Sequence, residues 1–143
     1  MGKYVRLIYL GQVKKVKAAV NKANEILSNP EFYDQIRGYK KFDNTDLSPE
    51  VIADLMEENN HEININVGFL MLTSSAAVTS SSNILISYWN FSKDLPSAVN
   101  TLIHETVNAM DRLHSVIQQR PLENKPRPTA PWVIGAIAEI MVK

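Results

Sequence analysis

His104-Glu-Thr-Val-Asn108-Ala-Met-Asp111-Arg-Leu-His114 lies within a stretch of helical periodicity, and its reading governs what is expected of the rest of the chain. On a helix advancing about 100° per residue, positions 104, 108 and 111 fall within roughly 60° of one another. His104, Asn108 and Asp111 therefore share a face. Val99, Leu102, Ile103, Val107, Met110 and Ile117 form an apolar stripe beside that face, which would anchor the helix in a core. The polar stripe is then free to line a cleft or to meet solvent.

The spacing carries a chemical expectation. In the pattern H-E-x-x-H, two histidines one turn apart hold zinc and the adjacent glutamate acts on a metal-bound water. Here Asn108 stands in the second histidine position. Two placements of a third ligand compete. If the chain leaves the helix near Asp111 and turns back, the set is His104, Asn108 and His114. If the helix runs straight, His114 lies about 15 Å farther along the axis than His104, and Asp111 supplies an oxygen instead. In either case a neutral amide oxygen is a poorer zinc ligand than imidazole, so metal binding is expected to be weak or lost. Glu105 is a general base beside a zinc-bound water and an ordinary helical carboxylate without one.

The flanking sequence predicts an α+β or α/β domain. Asn83 to Trp89 reads as a strand, and Leu95-Pro96-Ser97 leads into the long helix. Upstream, Tyr4 to Leu10 reads as a strand closed by Gly11, and Gln12 to Leu27 as a helix whose Lys14, Lys15, Lys17 and Lys22 form a solvated face. Ser28-Asn-Pro ends that helix, and the stretch to Phe42 receives no assignment. Ser48-Pro49-Glu50 opens a second helix with a capping serine and a first-turn proline. Glu62 to Leu72 alternates as a strand, and Thr73 to Ser82 reads as a serine-rich loop or hairpin connection. Arg120 to Pro131, with four prolines, is an irregular connection, and Trp132 to Val142 closes the chain as an apolar helix. His61 is expected in a solvated turn, and Trp89, Phe91 and Trp132 at the core or the rim of a groove.

From Asn83 to His114 the chain resembles the zincin metallopeptidases, particularly small metzincin-like ones. The resemblance rests on the strand Ile84-Leu-Ile-Ser-Tyr-Trp89, the short loop from Asn90 to Leu95, and the helix that reaches Leu102-Ile103-His104-Glu105. The longer metzincin pattern is H-E-x-x-H-x-x-G-x-x-H, and here it becomes H-E-x-x-N-x-x-D-x-x-H. The resemblance implies His104 and His114 as zinc ligands, Glu105 as general base, and an edge strand that pairs with an extended peptide. It also implies a small mixed twisted sheet with that edge strand beside the active-site helix, and a C-terminal helix. Asn108 and Asp111 depart from the pattern, and no clear methionine turn follows.

Length and composition narrow the alternatives. A chain of 143 residues matches one domain, 1–143, able to bury about two-thirds of its unfolded surface. Fifteen basic residues balance fifteen acidic ones, so no overall field would draw nucleic acid or an anionic membrane. There is no cysteine, so a metal would need histidine or oxygen ligands. The apolar run at the amino terminus is too short and interrupted for a secretory or spanning segment, which gives the expectation of a soluble cytoplasmic protein. Serine-hydrolase, P-loop and dinucleotide motifs do not occur. Two functions remain: a metallopeptidase-like protein with a degenerate zinc site and weak or absent activity on a peptide or protein substrate, or a non-catalytic peptide- or protein-binding module on the same scaffold.

Overall fold

The computed structural model describes residues 4–40, 48–58, 60–69, 76–114 and 130–142, of which 76–80 and 111–114 are described in backbone alone. The elements are β1 (Arg6–Ile8), α1 (Lys14–Leu27), α2 (Pro30–Arg37), α3 (Pro49–Glu57), β2 (Glu62–Gly68), β3 (Ala76–Ser80), β4 (Asn83–Ser87), α4 (Leu95–His114) and α5 (Ala130–Val142). The fold is mixed α+β. Its sheet has the order β1-β2-β4-β3. The first three of these strands run parallel, and β3 pairs antiparallel with β4 at the outer margin.

Alternation along the strands decides which face of the sheet is covered. Leu7, Ile63, Ile65, Ile84 and Ile86 are buried, whereas Arg6, Glu62, Asn64 and Asn66 between them are exposed. The helices pack on the apolar face, where Val16, Val20, Leu27, Ile52, Leu102 and Ile134 join the same core. On the wet face, Arg6 and Glu62 pair across neighbouring strands at 2.9 Å. The free margin of β1 is occupied by a side chain. Asn24 of α1 accepts from the Leu7 N–H at 2.9 Å and donates to the Leu7 carbonyl at 2.9 Å, as a neighbouring strand would.

Two elements were not foreseen. The Asn29-Pro30 pair that ends α1 also starts α2: the Asn29 side chain accepts from the Glu31 N–H, Pro30 takes the first turn, and Tyr33 donates to the Leu27 carbonyl at 2.6 Å. Eight residues are too few for a helical period to stand out. Arg37 then ties this helix to α3 through Asp54 at 2.7 Å and Glu57 at 2.6 Å.

The second is β3, within the stretch expected to be a serine-rich loop or hairpin connection. Ala-Ala-Val-Thr-Ser has only Val78 and Thr79 to favour a strand beside two alanines, and pairing with β4 makes it one. Its presence moves the sheet margin: the strand beginning at Asn83 is interior, flanked by β2 and β3, and the outer strand is β3. Boundaries shift as well. The opening strand is confined to Arg6–Ile8, Tyr88 and Trp89 lie in a turn after β4, and α5 starts at Ala130. Residues 70–72 of the expected second strand, the greater part of the expected proline-rich connection and Ile117 of the expected apolar stripe lie outside the described residues.

Candidate functional site

Asp94 opens α4: its carboxylate accepts from the Ser97 N–H at 3.2 Å and its carbonyl from the Ala98 N–H at 2.9 Å. The apolar stripe reaches the core as expected, with Val99, Leu102, Ile103, Val107 and Met110 all fully buried. Thr106, also buried, returns its hydroxyl to the Leu102 carbonyl at 2.7 Å, so the polar group inside the core is satisfied.

The polar face of α4 meets α5. The close approach occurs at Gly135, where a methyl group would collide with the side-chain oxygen of Asn100 and stand 3.1 Å from its carbonyl. Asn100 in turn donates to Glu139 at 2.6 Å. Between the two helices lies an open cleft of about 350 Å³, lined by Asn100, Thr101, His104, Glu105, Trp132 and Glu139 among others.

His104 is half-buried in this cleft, and the Trp132 ring meets it edge to face with centroids 5.2 Å apart. Burial holds the imidazole below its ordinary pKa, opposed by a backbone hydrogen bond at Pro131. Proline has no N–H, so the carbonyl must accept and a ring nitrogen must donate. In its neutral form the imidazole then keeps one nitrogen lone pair for another partner.

Glu105 lines the same cleft, and Asn108, one turn on, donates its amide to Glu105 at 3.2 Å. Of the sequence-predicted residues, His104, Glu105 and Asn108 are thus brought into one neighbourhood. The backbone of α4 continues unbroken through Asp111 to His114, which is the straight arrangement rather than the turned-back one. The side chains of Asp111 and His114 lie outside the described residues.

Zinc requires a converging donor set of about four groups. Among the described residues no cluster of three histidine, cysteine, aspartate or glutamate side chains forms such a set. His104 and Asn108 by themselves offer one imidazole nitrogen and one amide oxygen, which does not make up a zinc centre.

Sequence reasoning missed the partners that α5 brings. Trp132 is expected either to line a groove or to sit at a core or rim, and it lines this cleft; Asn100, Gly135 and Glu139 carry no local motif, and their roles arise from helix pairing. His61 is half-buried with a ring nitrogen 2.7 Å from the Ser81 carbonyl, so it links two loops rather than standing in solvent. Trp89 is 63% exposed at the rim, with its indole N–H on the Phe69 carbonyl at 2.6 Å, and Phe91 belongs to the core. No helix among the described residues is long and apolar enough to cross a membrane. Comparison of the chain with protein-family models, with curated proteins and with solved structures finds no match.

Proposed function

We propose that this protein is a zincin-like, metallopeptidase-type protein that engages an extended peptide, with hydrolysis weak or absent because Asn108 occupies a ligand position. The observation that carries this reading is the pairing of His104 and Glu105 in one cleft on the helix that directly follows β4, with the antiparallel β3 at the sheet margin. An outer strand offers main-chain donors and acceptors to an extended peptide. Zinc, where bound, would be held by His104 and Asn108 with Asp111 as the third ligand, because the unbroken α4 carries His114 too far along its axis. Its role there would be to activate water, with Glu105 as the base.

The alternative, a peptide-binding module without catalysis, is favoured by one contact. The Asn108 amide donates to Glu105, so the carboxylate that would serve as base is engaged by the residue that replaced the ligand. Metal analysis of purified protein, combined with cleavage of a mixed peptide library, separates the two. Zinc near one per chain and cleavage abolished by Glu105→Gln support the enzyme. Metal-free protein that binds extended peptides without cutting them supports the binding module. Absence of both metal and peptide binding refutes the proposal.

A further inference from the structure

A second cleft, of about 1090 Å³, opens where β1 and β2 end and α1 begins, away from the His104 cleft. Carboxyl ends of parallel strands are where open sheets place ligands, because the chain leaves the sheet there and its loops splay apart. Three lysines line this cleft, Lys14, Lys15 and Lys93, and among the described residues no aspartate or glutamate does. On a chain with equal numbers of acidic and basic residues, that is a local concentration of positive charge. None of the three forms an ion pair with a carboxylate among the described residues; Arg6, Lys22 and Arg37 are the cations in the pairs formed there.

Lys15 gives the cleft a fixed wall. Its ammonium donates to the Tyr88 carbonyl at 2.6 Å and the Phe91 carbonyl at 2.7 Å, and sits 4.7 Å from the centre of the Tyr88 ring. The charge is thereby held in place with neutral partners only. Burial, and secondarily the charge of Lys93, pulls its pKa below the usual lysine value. An anion in the cleft would relieve that repulsion. The loop from β1 to α1 is shaped around Tyr9, whose hydroxyl accepts from the Val13 N–H at 3.1 Å, and a side chain at Gly11 would collide with the same ring. Helix α1 starts at Lys14 with no capping side chain and no acidic residue in its first turn. Asn64 and Asn66 contribute amides from the wet face of β2, while Val67 and Phe69 provide an apolar side.

We propose that this cleft binds a phosphorylated small molecule, with the phosphate at Lys14, Lys93 and the amino end of α1, and the organic part against Val67 and Phe69. Phosphate matches this charge and the uncapped helix start better than a diffuse anion does. Binding should be salt-sensitive, since the lysines stand at an open mouth.

The test is calorimetric titration of the full chain with AMP, ribose 5-phosphate, inorganic phosphate and citrate, repeated for Lys14→Gln/Lys93→Gln and for Phe69→Ala. The expected result is saturable binding of a phosphate ester, weakened about a hundredfold by the double substitution, roughly tenfold per ammonium contact. Phe69→Ala should weaken the ester and leave inorganic phosphate unchanged. Thermal unfolding of each variant confirms that the fold persists. No saturable binding of either ester, equal binding in the double variant, or citrate binding as tightly as the esters would overturn the proposal. Inorganic phosphate binding as tightly as the esters would overturn the role given to the apolar side.

Discussion

The Trp132 ring stands edge-on to the imidazole of His104, 5.2 Å between centroids, and supplies part of the wall that keeps water from it. The indole is itself 49% exposed, so it shields the histidine without being locked into the core. Trp132→Ala should admit water and move the His104 pKa up, back towards 6.5. An imidazole titration followed by NMR reads this directly. An unchanged midpoint would mean that the rest of the cleft, not the indole, sets the desolvation.

The same lowered pKa makes stability depend on pH, and its sign follows from proton counting. Well above 6.5 both the folded and unfolded forms of His104 are neutral, and the group contributes nothing to the pH slope. Below 6.5 the unfolded chain takes up the proton more readily than the folded one, so stability falls as pH falls, until the folded imidazole also protonates. Chemical denaturation on both sides of 6.5 should therefore show a loss on acidification that is smaller in His104→Gln. Equal losses in the two proteins would assign the pH dependence to other groups.

How much of this was legible in the sequence differs between elements for physical reasons. The apolar stripe of α4 was readable because five of its six positions, Val99 to Met110, repeat at helical spacing and all reach the core. Helix α3 announced itself through Ser48 and Pro49, a cap and a first-turn proline that act locally. By contrast, β3 exists because β4 offers it a partner, and from Ala76 to Ser80 only Val78 and Thr79 favour a strand locally. The site divides the same way. His104 and Glu105 were visible as neighbours in a motif, whereas Trp132, Gly135 and Glu139 join them across more than twenty intervening residues through packing alone. The lysines of α1 look alike in sequence, but only the fold turns Lys15 onto the Tyr88 and Phe91 carbonyls and leaves Lys17 in solvent.

The contact between Gly135 and Asn100 sets the spacing of α4 and α5. A methyl at position 135 has no free volume, since both the side-chain oxygen and the carbonyl of Asn100 oppose it. Gly135→Ala should destabilise the protein by about 1 to 3 kcal/mol despite the better helix propensity of alanine, which returns roughly 1 kcal/mol at most. Urea denaturation measures the difference. A stabilised variant would show that the helices can separate at little cost. Because the Asn100–Glu139 hydrogen bond lies at the same crossing, Asn100→Ala combined with Gly135→Ala should recover part of the loss.

The final prediction concerns position 108, one helical turn from His104. Asn108→His would replace an amide donor to Glu105 with an imidazole, removing that contact and adding a nitrogen ligand. Structural zinc sites yield about 10 to 16 kcal/mol from four ligands, so one added imidazole is worth roughly 2.5 to 4 kcal/mol, about a hundredfold or more in affinity. Competition with a chromogenic chelator measures the zinc affinity of both proteins. A gain of two orders of magnitude would mean that positions 104 and 108 converge on a common point. No gain would mean that they do not, and the zincin reading of α4 would fail with it.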